Sequence, residues 1–214
     1  MNQIYPLTRN LCFLLLTLVA SVASAQDLQL PAPRQSGGMP LREALAKRST
    51  AREFDPKALP VQQLSDLLWA AFGINRPDGK RTAPSAKNSQ ETDIYVVLKD
   101  GAYLYAANSN QLSLVEPEDL RSLAATQAFA TNAPVTLLFV ADLSRMEKGV
   151  NDENLAMANI DTGYISQNVY LFSASEGLVT GARASFDRKR LESKLKLRAT
   201  QRILLAQSVG CPKP

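Results

Sequence analysis

The sequence predicts an α+β fold or a mixed-sheet α/β sandwich, and three observations carry this expectation. Apolar residues at helical spacing over 61–72 are typical of a helix packed on a core. Two apolar runs, 94–98 and 102–106, flank Asp100-Gly101 and therefore predict a β-hairpin. A long helical pattern spans 154–176. The hairpin in the middle of the chain disfavours a regular parallel fold.

The other elements follow from the same signals. Shorter helices are predicted at 41–47, 117–130 and 188–195, and further strands at 111–115, 135–141, 178–183 and 203–209. Residues 26–38 are rich in proline, glycine and glutamine, which predicts a disordered leader. Residues 39–214 suit one domain with a sizeable core.

The first 25 residues predict an export signal. Arg9 precedes an apolar run over 11–22, and Ala23-Ser24-Ala25 forms a small-residue cleavage site. The run is too short to be a membrane span, although an uncleaved N-terminal anchor is the alternative. We therefore expect residues 1–25 to be removed and the remaining chain to act outside the cytoplasm, with the periplasm as the expected compartment. No later stretch is apolar for long enough to cross a bilayer.

Composition excludes several chemistries. The chain has no histidine, which rules out histidine-dependent metal sites and catalytic triads. Removal of Cys12 with the signal leaves Cys211 alone, which cannot form an internal disulfide. The net charge of +4 is mild, and no basic run indicates nucleic-acid binding. Any chemistry must come from other side chains or from a cofactor.

Three polar segments are candidates for that cofactor site. Two arginines and a serine lie in 48–52, where guanidinium forks suit a phosphate, but a solvated helix end has the same composition. The loop 84–90 is dense in hydrogen-bonding groups, as ordinary polar loops also are. Glycines in 176–184 allow backbone to approach a flat ligand, although Gly177 also suits a helix C-cap.

The order and separation of these segments resemble the nitroreductase family of flavoproteins, most closely the branch with the SagB-type dehydrogenase domains. The resemblance covers about residues 39–212. It is carried by RSTAREF (48–54), LLWAAFGINRPDGKRTAPSAKNSQ (67–90), IYVVLKDGAYLYAA (94–107), IDTGYISQNVYLFSASEGL (160–178) and QSVGCP (207–212).

This resemblance implies a three-layer sandwich with a mixed, mostly antiparallel sheet and FMN bound at the interface of a homodimer. One subunit would hold the phosphate and ribityl chain with Arg48, Ser49, Arg52 and Lys213. The other subunit would reach the same flavin with Pro84, Ser85, Ala86 and Asn88. The positions that match the surroundings of the isoalloxazine ring and its N5 atom are Asn168, Gly181, Ala182, Arg183 and Ala184.

The chain departs from the family pattern in two places. It has Ala184-Ser185 where relatives often have Glu-Gly near N5, so a backbone contact is expected there. It ends at Pro214, whereas many relatives continue into an arm that wraps the other subunit. We therefore expect the dimer interface to rest more on the long helix.

Three functions compete at this point. The resemblance implies an FMN-dependent oxidoreductase that transfers hydride between the flavin and a small electrophile, such as a nitro compound or a quinone. The SagB-type branch suggests oxidation of a heterocycle in a modified peptide, with partner enzymes of the cytoplasm. A protein that binds flavin or another flat ligand without turnover is the non-enzymatic alternative. Because export separates the protein from cytoplasmic NADH and NADPH, a redox partner is a possible electron donor.

Overall fold

Seven strands form one sheet in the computed structural model, which describes residues 26–214. The predicted export signal, 1–25, lies outside the described residues. Every strand pairing is antiparallel, and the order across the sheet is β1-β4-β3-β2-β5-β7-β6. The strands are β1 (Leu28–Gln29), β2 (Thr92–Val97), β3 (Ala102–Ala106), β4 (Gln111–Glu116), β5 (Val135–Asp142), β6 (Val179–Arg183) and β7 (Gln201–Gly210).

The sheet is buried on both faces because side chains alternate along its central strands. Ile94 and Val96 of β2 point into one apolar cluster, and Tyr95 and Val97 point into another on the opposite face. All eight residues of β5 are buried, as expected for a strand with partners on both sides and cover on both faces.

Helices cover the two faces and complete three layers. They are α1 (Leu41–Lys47), α2 (Val61–Phe72), α3 (Ala128–Thr131), α4 (Asp152–Ser175) and α5 (Arg188–Lys194). Leu68 of α2 and Ile165 of α4 pack on the first face, and Leu191 of α5 packs on the second. The expected α+β fold is confirmed. Among residues 26–214, no helix combines the length and the apolar character that crossing a bilayer requires.

Local side-chain chemistry sets both ends of α4, the longest helix. The Asn151 side chain accepts a hydrogen bond from the Asn154 N–H, and Asp152 and Glu153 stand in the first turn, where the helix dipole favours acids. After the last turn, Gly177 adopts a φ of +68°, which ends the helix and turns the chain into β6.

The helix predicted over 117–130 is wrong for most of its length. Only Ala128–Thr131 is helical, and the preceding residues form turns. Leu120, Leu123 and Ala124 are buried against the sheet, which explains their helix-like apolar spacing. The Ala124 carbonyl accepts hydrogen bonds from the Arg183 guanidinium rather than from a helical backbone.

The leader, 26–38, is ordered and not disordered as its composition predicts. Leu28 and Gln29 pair with β4 at the edge of the sheet, and Leu30 is buried. Arg34 then pairs with Asp66 of α2, whose carboxylate also accepts the Arg34 N–H. Proline and glycine interrupt the apolar periodicity from which a helix or strand is predicted, but hydrogen bonds to distant parts of the chain hold the segment in place.

Asp142, at the end of β5, should make stability depend on acid. Burial raises its pKa, but hydrogen bonds from Ser144, Thr200 and Arg198 outweigh burial and hold the pKa at about 2, below its usual 3.8. A lowered pKa contributes stability above pH 3.8 that is lost as the pH falls through 2.

We therefore expect Asp142→Asn to lower the free energy of unfolding by about 2 kcal/mol at pH 7 and much less near pH 2. Urea denaturation at several pH values measures this, with the exposed Asp100→Asn as control, since Asn-Gly also suits its turn. Equal losses at both pH values would contradict the assignment.

Candidate functional site

The segment that follows α1 runs beside β6, the last strand of the sheet. An edge strand presents unpaired backbone groups on its outer side. The Ala51 N–H donates to the Thr180 carbonyl at 2.9 Å, so segment 48–52 occupies part of this edge. The structure thus brings together two of the three segments that the sequence singles out.

Gly181 permits this close approach. A Cβ atom at this position would lie 2.6 Å from the Ala51 carbonyl oxygen, closer than real contacts allow. The glycine therefore lets segment 48–52 lie against β6, and its role is the packing of backbone on backbone.

Tyr170 of α4 ties the two segments together. Its hydroxyl accepts a hydrogen bond from the Ala182 N–H at 3.0 Å and lies 3.1 Å from the Thr50 hydroxyl. The Arg48 guanidinium carbon lies 5.4 Å from the centroid of its ring, a cation–π distance. Sequence reasoning missed Tyr170 and Thr50. A tyrosine beside the apolar band of a packed helix was the available signal, because a half-buried phenol normally finds a polar partner.

A cleft of about 170 Å³ lies between residues 50–52 and 181–185, with Phe129 on its wall. Arg52 also borders a neighbouring open cleft of about 500 Å³, together with Lys213. Two predicted phosphate contacts thus share one border, and Ser49 stands exposed beside them. The smaller cleft is below the roughly 300–1,000 Å³ that small-molecule sites usually occupy.

The Arg183 side chain has a structural role. Its guanidinium donates to the Ala124 carbonyl and to the Ser208 hydroxyl, both at 2.8 Å. Burial lowers its pKa to about 10, and the three groups are held together inside the protein by these hydrogen bonds. The following Ala184 is exposed and lies in a bend just after β6.

The loop of residues 84–90, called the flavin loop below because the motif resemblance implies flavin contacts there, lies elsewhere in the same chain. Ala86 donates its N–H to the Asp161 carboxylate at 2.7 Å, and the Ser85 hydroxyl accepts the Gln90 N–H at 2.9 Å. Pro84 and Asn88 are exposed. Asp161 precedes Tyr170 by nine residues on α4, about 13.5 Å along a helix. The loop therefore does not share the cleft of its own chain.

Asn168 also faces away from segment 48–52. Its side-chain amide donates to the Ala71 carbonyl at 3.3 Å. It borders a third cleft of about 540 Å³, between the leader and α4, whose walls include Trp69 and Phe172. The predicted site residues thus fall into three groups within one protomer.

Comparison with known proteins settles the family. The profile of the Nitroreductase family matches residues 45–211, most of the chain. The chain belongs to the nitroreductase family. A nitroreductase homologue from Methanocaldococcus jannaschii is 27% identical over 194 residues, which are 86% of this chain and 96% of that protein. The family resemblance expected from the motifs is confirmed.

Solved structures agree with this family assignment. The crystal structure of a nitroreductase homologue from Ralstonia eutropha JMP134 is 37% identical and has a TM-score of 0.84, covering 90% of this chain and 92% of that one. The NADPH:FMN oxidoreductase of Vibrio harveyi, crystallised with NAD+, shares the fold at 19% identity and a TM-score of 0.61, over 81% of this chain and 69% of that one.

This nitroreductase-family chain also carries an exposed apolar stripe on α4. Met157, Ile160 and Tyr164 follow helical spacing and lie on one face, where Ile160 is 50% exposed and Tyr164 48%. Leu41 and Leu45 of α1 add two more exposed apolar side chains. Apolar side chains that cluster on the surface of a protein often mark a site where another molecule packs.

Tyr170→Phe should weaken the junction between segment 48–52 and β6. The change removes the hydroxyl that serves the Ala182 N–H and Thr50, so we expect the free energy of unfolding to fall by about 1 kcal/mol. Tyr164→Phe on the exposed face of the same helix is the matched control, with an effect within about 0.5 kcal/mol. Urea denaturation of the ligand-free protein compares them, and equal effects would remove Tyr170 from this role.

Proposed function

We propose that the protein is an exported, homodimeric, FMN-dependent oxidoreductase that acts on a small electrophile such as a nitro compound or a quinone. One observation carries this proposal. Segment 48–52 places Arg48 and Arg52 beside the outer edge of β6, and Arg52 shares a cleft with Lys213. Arg52 and the exposed chain at Ser185, just after β6, line the same cleft, which suits a ligand with a phosphate and a flat polar ring.

The cations fit the phosphate of FMN. Neither Arg48 nor Arg52 enters an ion pair within residues 26–214, whereas most other arginines around the sheet do or bond to backbone carbonyls. Guanidinium forks match phosphate oxygens, and the Lys213 ammonium adds a point charge at the cleft that it borders together with Arg52.

The backbone after Gly181 fits the flavin ring. The Thr180 carbonyl and the Ala182 N–H on the outer side of β6 are bonded to Ala51 and Tyr170, and the exposed Ala184 follows directly after the strand. An N–H there can donate to a ring nitrogen whatever the side chain, which makes the Ala184-Ser185 sequence compatible with the role. When bound, FMN supplies the hydride transfer, while the protein holds and orients it.

A second copy of the chain completes the site in this proposal. The flavin loop lies about 13.5 Å along α4 from Tyr170 in its own protomer. The apolar stripe of Met157, Ile160 and Tyr164 on that same helix offers a surface on which two protomers can pack. Packing there is expected to bring the loop of one protomer to the cleft of the other, and the small cleft of a single chain is consistent with this.

Export determines which electron donor is expected. The signal predicted in 1–25 would place the protein where cytoplasmic NADH and NADPH are not supplied. We therefore propose a redox partner outside the cytoplasm as the donor. Heterocycle oxidation of the SagB type depends on cytoplasmic partner enzymes and is the less favoured activity.

A non-catalytic flavin- or flat-ligand-binding protein is the second candidate, favoured by the same separation from nicotinamide pools. Turnover distinguishes the two. Protein reconstituted with FMN, and reduced by light with EDTA as the sacrificial electron donor, should be reoxidised by a simple quinone at a rate proportional to protein concentration. Reoxidation no faster than that of free FMN would favour the binding role.

The double variant Arg48→Ala/Arg52→Ala tests the phosphate site. Each lost charge-assisted contact should cost about tenfold or more in affinity, so the Kd for FMN should rise about 100-fold. Arg42→Ala, an exposed cation on α1, is the control and should leave the Kd unchanged. Quenching of FMN fluorescence measures binding, and wild-type affinity in the double variant would place the phosphate elsewhere.

Ile160→Asp tests the interface. A carboxylate in the middle of the apolar stripe would be buried without a partner in the dimer, so the variant should sediment as a monomer. It should also bind FMN weakly, because the site lacks its second half. The change Lys189→Gln on the exposed surface of α5, which also lowers the net charge by one, is the charge-matched control. A dimeric Ile160→Asp variant would show that this face is not the interface.

A further inference from the structure

Two buried carboxyl groups lie directly beneath the flavin loop. Glu91, at the entry to β2, is 0% exposed, and Asp161 of α4 is 4% exposed. The Thr92 hydroxyl lies 3.5 Å from the Glu91 carboxylate and 3.4 Å from the hydroxyl of Thr162, the residue after Asp161, so the two carboxyl groups lie near each other. Neighbouring buried carboxylates repel each other, which favours a proton on one of them.

The hydrogen bonds around Ser89 indicate where a proton resides. The Ser89 hydroxyl lies 2.7 Å from the Ala86 carbonyl and 3.0 Å from Oε2 of Glu91. A hydroxyl has one proton to donate. If the Ser89 hydroxyl donates its proton to the Ala86 carbonyl, a protonated Glu91 can donate a hydrogen bond to the Ser89 oxygen or to Asp161. Burial raises the pKa of Glu91 above its usual 4.5, and the Asp161 carboxylate raises it further.

The flavin loop depends on this anchor because its backbone is strained. Lys87, Asn88 and Gln90 adopt φ values of +52°, +56° and +45°. These values lie in the left-handed region, which residues other than glycine disfavour. The Ala86 N–H donates to the Asp161 carboxylate at 2.7 Å, which fixes the loop to α4. Movement of the Asp161 carboxylate would therefore free the Ala86 amide, while Gln90 stays held by Arg81 and Arg145.

We propose that Glu91 is a positioning residue for the flavin loop: protonated Glu91 holds Asp161 against the Ala86 amide, and ionised Glu91 displaces it. The consequence for flavin rests on the proposed function, in which this loop completes the site of the second protomer. The state of the loop itself does not depend on flavin. As the pH rises and Glu91 ionises, the flavin loop becomes less ordered, and the protein therefore binds its cofactor more weakly.

The other charged groups around the loop bond to different partners. Arg81 donates to the Gln90 side chain and the Phe72 carbonyl, and Arg145 donates to the Gln90 carbonyl and to Asp93. Four further charged groups of the loop and the neighbouring elements form two ion pairs: Lys87 with Glu147, and Asp142 with Arg198. Within residues 26–214, Asp161 is thus the charged group to which the Glu91 carboxyl responds most directly.

Glu91→Gln tests the proposal because an amide can donate to Asp161 but cannot ionise. In ligand-free wild-type protein, protection of the Ala86 amide from hydrogen exchange, corrected for the intrinsic pH dependence, should fall at least tenfold as the pH rises through the pKa of Glu91. In Glu91→Gln, protection should not change over this range. Equal pH dependence in both proteins, or none in wild type, would overturn the proposal.

Asp161→Asn provides a second, independent measurement. The Asn oxygen can still accept the Ala86 N–H, but the negative neighbour of Glu91 is gone. Carbon-13 NMR of the Glu91 carboxyl should give a titration midpoint above 4.5 in wild type and a lower midpoint in the variant. An unchanged midpoint would show that the two carboxyl groups are not coupled.

The affinity for FMN links the device to function. The Kd of the wild-type protein should rise with pH over the same range as the loss of Ala86 protection, and that of Glu91→Gln should not. If FMN binds at no pH while the exchange results hold, the proposed function fails and the loop device stands. If FMN binds but Glu91→Gln retains the wild-type pH dependence, the device fails and the function stands.

Discussion

Helix α4 is the constraint on which the candidate site depends, because it fixes the distance between the two halves. Near its C-terminal end, the Tyr170 hydroxyl joins segment 48–52 to β6. Nine residues earlier, Asp161 holds the flavin loop through the Ala86 N–H. A continuous helix keeps these two anchors about 13.5 Å apart along its axis, and no residue of the loop lines the cleft beside segment 48–52. The same helix carries the exposed apolar stripe that can bring a second chain close enough.

In each half of the site, one polar side chain of α4 accepts a hydrogen bond from a backbone N–H and so fixes the position of the neighbouring segment. Tyr170 lies under the Arg48 guanidinium, and neither Arg48 nor Arg52 enters an ion pair within residues 26–214, so both charges are available for an anion. Asp161 holds a loop whose left-handed residues would otherwise relax, and its buried neighbour Glu91 makes that hold dependent on a proton. The polar side chains thus position the backbone of the proposed site, and the cofactor supplies the hydride chemistry.

Much of the fold was predictable because its signals are local. The hairpin at Asp100-Gly101 and the periodicity of α2 depend on neighbouring residues, and both are found where the sequence places them. The leader and the segment before α3 were not predictable, because β1 pairs with the distant β4 and Ala124 bonds to Arg183. Motif resemblance singled out Arg48, Arg52 and Gly181. Tyr170, Glu91 and Asp161 escaped it, since their roles exist only through contacts across the fold.

A mixed dimer tests the central claim most directly. One subunit carries Arg48→Ala/Arg52→Ala, and the other carries Ser85→Asp/Asn88→Asp in the flavin loop; different affinity tags allow the heterodimer to be isolated. Each homodimer has both sites damaged and should bind little FMN. If each site uses segment 48–52 of one chain and the loop of the other, the heterodimer keeps one intact site and should bind about half as much FMN as wild type. A heterodimer that binds no FMN, although it is folded and dimeric, would contradict a site shared between two chains.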